Sequence, residues 1–142
     1  MNLFIGGYAQ GKLEYVKSIY PESLVIDENN YAEIINFTLN ESDEKVVNNN
    51  YHGDIIINHL HLIIREQLSA DVDEEKIKKI IKKIINNYSE INFVCDEIGN
   101  GIVPIDAFER RYRDVTGHIL IELARQAESV VRVVCGLPVR IK

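Results

Sequence analysis

Apolar residues fall along this chain in short continuous runs separated by longer stretches of helical spacing. "NLFI", "SLVID", "GDIIIN", "INFVC" and "VVRVVCG" are runs of strand length, and none alternates cleanly with polar residues. Such runs suit strands buried on both faces. Between them the period changes. "GKLEYVKSIY" spaces Leu13, Val16, Lys17 and Tyr20 as on a helix, with Pro21 just beyond its end. "HLHLIIREQL" reads as a second helix. "DVDEEKIKKIIKKIINNY" is the clearest: Ile77, Ile80, Ile81, Ile84, Ile85 and Tyr88 recur at i, i+3, i+4, i+7. Asp71 or Asp73 can cap it, and acids crowd its first turn, where the helix dipole favours them. Lys78, Lys79, Lys82 and Lys83 lie off the stripe and form a solvated face. A long helix from about Asp106 to Ala127 carries Phe108, Tyr112, Val115, Ile119 and Leu123 on one side. "VRIK" closes the chain as a short partner strand. Within the polar, Asn-rich stretch 28–50, "AEIINFTL" is the one plausible element.

Strands alternating with helices predict an α/β protein with a mainly parallel sheet. No internal repeat or Pro/Gly/Ser-rich linker interrupts residues 1–142. One domain of ordinary size is therefore expected.

Composition narrows the function class. The net charge of −6 argues against a sequence-independent grip on nucleic acid. No apolar run approaches the roughly 18 residues of a membrane span, and the opening "MNLFIGG" lacks a basic, signal-like start. A cytoplasmic protein without membrane contact is the expectation. Cys95 and Cys135 both sit in apolar runs and read as reduced core cysteines. His59 and His61 alternate, but no third ligand lies at a recognisable spacing, so no metal site is expected there. At the start of a helix they read as surface or capping residues.

The chemistry concentrates in "GGYAQGKL", residues 6 to 13: Gly6, Gly7, Tyr8, Ala9, Gln10, Gly11, Lys12 and Leu13. Gly6, Gly11 and Lys12 meet the phosphate-loop pattern G-x-x-x-x-G-K-[ST], with a strand before and a helix after it. In that pattern Lys12 reaches the β and γ phosphates of a nucleotide. Leu13 stands where a hydroxyl would hold Mg²⁺, and "GDIIIN" ends in Asn58 where an acid is usual, so the role of Mg²⁺ stays open. Asp27, Asp96 and Glu97 are the acids at strand ends, where the ligand edge of a parallel sheet lies.

The last third, "CDEIGNGIVPIDAFERRYRDVTGHILIELARQAESVVRVVCGLPVRIK", resembles the adenosylcobinamide kinase / adenosylcobinamide-phosphate guanylyltransferase family of cobalamin biosynthesis. That family shows N-E-[VI]-G-x-G-[IV]-V-P, then R-x-[FY]-R-D-x-x-G. Glu97, Gly99, Gly101, Val103, Pro104, Arg111, Arg113, Asp114 and Gly117 fall on those positions, and Gly6 and Gly7 match its paired glycines. The resemblance implies a three-layer P-loop domain with a mainly parallel sheet and an antiparallel C-terminal strand, assembled as a homo-oligomer. It implies ATP or GTP as nucleotide and a corrinoid (adenosylcobinamide) as acceptor. In such an enzyme Lys12 would hold the triphosphate, Asp96 or Glu97 would replace the lost metal anchors, and Arg113 would steady transferred charge, so Lys12, Glu97 and Arg113 are the catalytic candidates. The resemblance also implies guanylyl transfer through a histidine-bound GMP. Here the sequence departs: no histidine precedes His52, and Leu120 and Ile121 replace two amides that follow the Arg–Asp pair. Three readings follow. One is a nucleotide-dependent phosphotransferase of this type, with guanylyl transfer left open; the second is a non-catalytic relative that keeps the fold and acts as a regulatory or partner subunit; the third is a phosphate or nucleotide binder unrelated to cobamides.

Overall fold

A computed structural model describes residues 1–32, 53–88 and 90–142. The element expected in "AEIINFTL" falls almost wholly outside the described residues, as does His52. Among the described residues the strands are β1 (Asn2–Gly6), β2 (Leu24–Ile26), β3 (Ile55–Ile57), β4 (Ile91–Asp96), β5 (Ser129–Val134) and β6 (Leu137–Arg140). The helices are α1 (Lys12–Ile19), α2 (Leu60–Ser69), α3 (Glu74–Asn87) and α4 (Ala107–Gln126).

One sheet of order β2-β3-β4-β1-β5-β6 joins all six strands. The first five run parallel, and β6 returns antiparallel to β5. This is the α/β class expected from the alternation of short apolar runs with helices.

Strand alternation sorts the side chains onto two faces. Leu3, Ile55, Ile57, Ile91, Phe93 and Cys95 enter a large core with the apolar stripes of α2, α3 and α4. Phe4, Ile56, Val94, Val131 and Val133 face the other way and meet Val16 of α1, with Leu13 and Tyr15 packed against them. Both faces are covered, which explains why the strands are nearly all apolar. Asn92 is a buried exception, and Asn2 donates to its Oδ1 at 3.0 Å.

The helix ends follow their local chemistry. Asp73 caps α3 by accepting from Lys76 N–H, and Asp106 caps α4 by accepting from Glu109 N–H. Lys78 reaches Glu74 and Glu122, both at 2.8 Å, and so ties α3 to α4. "VVRVVCG" was expected to continue as a buried strand through Cys135. Instead β5 stops at Val134, and Cys135 is exposed in a two-residue turn. Cys135 and Gly136 have φ of 50° and 76°, the left-handed pair a tight hairpin needs. Cys95 is buried as expected, and burial pushes its thiol up to about 12.

The end of β1 is pressed against β5. A Cβ on Gly6 would lie 2.4 Å from the Val133 carbonyl oxygen, a backbone atom that cannot swing aside. Gly6→Ala is therefore expected to cost about 2 kcal/mol or more of folding stability, read by chemical denaturation. An unchanged midpoint would show that β1 and β5 separate freely.

Candidate functional site

Five parallel strands carry their C-terminal ends to one edge, and the glycine loop leaves from β1, an interior strand. β1 lies between β4 and β5, so Gly6 is in register with Asp96. Residues 7–11 turn the chain, with Ala9 and Gly11 at φ of 53° and 76°, and α1 begins at Lys12. Gln10 locks the turn to the β5–β6 hairpin. Its side-chain oxygen accepts from Cys135 N–H at 2.6 Å, and its carbonyl accepts from Gly136 N–H at 2.9 Å. At the opposite side of the loop, Glu97 N–H donates to the Gly6 carbonyl at 2.9 Å. Tyr8 projects from the tip and is 87 % exposed.

Lys12 does not extend into solvent. Its Nζ donates to the Gly7 carbonyl at 2.7 Å and meets Asp96 Oδ1 at 2.6 Å. Its side chain is only 6 % exposed and that of Asp96 12 %. A buried ion pair this short needs further hydrogen bonds to offset desolvation. The Gly7 carbonyl supplies one on the lysine side.

His61 supplies the support on the other side. It was expected at the surface, but it is buried, on the same face of α2 as Ile64 and Leu68. Asp96 N–H donates to His61 Nδ1 at 3.3 Å, so the ring proton sits on Nε2, which lies 3.7 Å from Asp96 Oδ2. Burial lowers the His61 pKa, against the opposing pull of Asp96. The imidazole thus stays neutral and brackets the Asp96 backbone and carboxylate. The i, i+3, i+7 spacing of 61, 64 and 68 was the signal for its burial. His59, at the helix start, is half-exposed; its Nδ1 lies 2.9 Å from Glu28 Oε2.

The other candidate residues hold the scaffold. The Glu97 carboxylate accepts from Arg132 Nε at 3.0 Å and pairs with its Nη2 at 2.9 Å, fastening the end of β4 to β5. Arg113 Nη1 donates to the Ile102 carbonyl at 2.8 Å, and Arg110 Nη1 to that of Pro104 at 3.0 Å. These two arginines pin the "GNGIVP" segment to α4. Asp27 closes its own turn by accepting from Asn29 N–H.

These residues do not make a ready anchor for Mg²⁺. Leu13 lies with the apolar cluster around Phe4 and Val16, Asp96 faces Lys12, and Glu97 faces Arg132. Among the described residues no three His, Cys, Asp or Glu side chains gather into a metal-holding group.

Sheet order and parallel direction define an α/β protein with a glycine loop at the edge where its parallel strands end. The family model for cobinamide kinase / cobinamide phosphate guanyltransferase matches residues 34–141, and the chain belongs to that family. It is 33% identical over 69 residues to the bifunctional adenosylcobalamin biosynthesis protein CobU of Salmonella typhimurium, covering 49% of this chain and 38% of that protein. Against the protein of the same description from Escherichia coli it is 39% identical over 54 residues, 38% of this chain and 30% of that one. The chain therefore matches well under half the length of these relatives. The family match begins beyond the glycine loop, so the loop stands on its geometry.

His61 gives the site a measurable pH signature. Its folded pKa lies below the ordinary 6.5, so between those values the unfolded chain binds more protons than the folded one. This contribution is complete above 6.5 and is lost as pH falls through the interval. The stability of the wild type to denaturant is expected to fall more steeply than that of His61→Gln as pH drops below 6.5. Parallel slopes would show that His61 is not held neutral.

Proposed function

We propose that the chain binds ATP or GTP at Gly6–Leu13 and passes the terminal phosphoryl group to the aminopropanol hydroxyl of a cobinamide. The supporting observation is Lys12: a buried ammonium at the mouth of a glycine loop, on the edge where parallel strands end. In this reading the loop backbone cradles the triphosphate and Lys12 takes the charge that builds on its outer oxygens. The acceptor oxygen bonds to the γ phosphorus, the bridging P–O bond breaks, the nucleoside diphosphate leaves, and the hydroxyl proton passes to solvent. No step is assigned to a protein-held metal: Leu13 offers no hydroxyl, and Glu97 is paired with Arg132. Glu97 and Arg113 act at a distance, through the loop backbone and the "GNGIVP" segment that they hold. Self-association fits the same reading, because Leu137, Val139 and Ile141 are exposed at the β6 end of the sheet.

Leu13 favours a second reading, a relative that binds nucleotide without turning it over. Its side chain belongs to the apolar layer under α1 and offers no hydroxyl. Guanylyl transfer is not part of either reading, since no histidine precedes residue 52.

The test is phosphoryl transfer from ATP or GTP to adenosylcobinamide, by the wild type and by Lys12→Met. Phosphorylated product from the wild type is expected, with a loss of about a hundredfold or more in the variant. Nucleotide binding without product would select the second reading, and no binding at all would remove both. Incubation with radiolabelled GTP is expected to leave no label on the denatured chain; retained label would restore guanylyl transfer.

A further inference from the structure

We propose that Asp96 is an internal competitor for the cation of the glycine loop: a ligand phosphate must displace its carboxylate from Lys12. This rests on the reading above that the loop receives phosphate, and it concerns what limits the affinity.

Three observations carry it. Lys12 Nζ makes both of its contacts inward, to Asp96 Oδ1 at 2.6 Å and to the Gly7 carbonyl at 2.7 Å. Both partners of the ion pair are almost out of solvent, so their attraction is little screened. Asp96 is also fixed. It ends β4 in register with Gly6, and its N–H is held by His61 Nδ1. Lysine, by contrast, is a compact charge on a flexible four-carbon stem. Lys12 is the partner able to move.

A phosphate oxygen and the Asp96 carboxylate are both anions, and one ammonium cannot hold them together without forcing two negative charges close in a dry site. Entry of a phosphate chain is therefore an exchange. Lys12 turns from Asp96 to the ligand, and the observed affinity is the intrinsic affinity reduced by the pair that is given up. The chain keeps its buried lysine neutralised, at the expense of weaker anion binding.

The experiment is calorimetric titration with inorganic triphosphate, free of divalent cations, on the wild type, Asp96→Asn and Lys12→Met. Asparagine keeps the size of the side chain and removes the charge. Asp96→Asn is expected to bind at least about tenfold more tightly than the wild type, and Lys12→Met to bind more weakly than either. Binding in Asp96→Asn alone would also support the competition. Equal or weaker binding in Asp96→Asn than in the wild type would overturn it while leaving nucleotide binding in place. Absence of binding in all three proteins would overturn it together with the nucleotide reading. A measurement on the wild type guards against misfolding of the variant: the carboxyl ¹³C resonance of Asp96 is expected to shift as triphosphate saturates the loop. A resonance that stays put at saturation would show that Lys12 never leaves Asp96, and would overturn the exchange.

Discussion

The carbonyl oxygen of Val133 lies so near the end of β1 that only a residue without a side chain fits at position 6. That close approach lets β1 run between β4 and β5 to its end, and the site follows from it. Gly6 comes level with Asp96, which sets the carboxylate beside the start of α1 and within reach of Lys12. The same approach brings the β5–β6 turn against Gln10 and Gly11. One missing Cβ thus aligns the anion, the cation and the wall of the loop.

The pair formed there is a poor source of stability. Burying an ammonium and a carboxylate costs several kcal/mol for each ion, and their attraction repays it only with good geometry and supporting hydrogen bonds. The supports are visible: the Gly7 carbonyl on Lys12 and the His61 ring on Asp96. A hydrophobic pair of equal volume would hold the fold as well or better. A neutral imidazole beside the ion pair steadies the carboxylate without adding a third charge.

The fold was largely legible because its signals are local. The isoleucine spacing from 77 to 84 wrote out the buried stripe of α3, and the runs at 55–57 and 91–95 announced strands covered on both faces. What escaped depends on contacts between distant segments. Cys135 continues an apolar run, yet the chain must reverse there for β6 to pair with β5, and the reversal puts it in solvent. His61 was judged by its neighbour His59, although its spacing to Ile64 and Leu68 placed it on the inner face. Lys12, Asp96 and Gln10 were legible as candidates, but their pairings with one another and with the hairpin follow from strand order, which sequence pattern does not give.

The clasp on Gln10 bears on the order in which the chain folds. Its partners at 135 and 136 come 125 residues or more later, so the loop is closed by a segment far along the chain. During synthesis β1 and α1 emerge early, but the turn between them lacks these two hydrogen bonds until the final hairpin has been made and docked. Contacts of such long range slow folding, because loop closure must come before any return. The glycine loop is thus among the last parts of the molecule to take its shape, and a chain halted before residue 135 would carry the loop's sequence without its geometry.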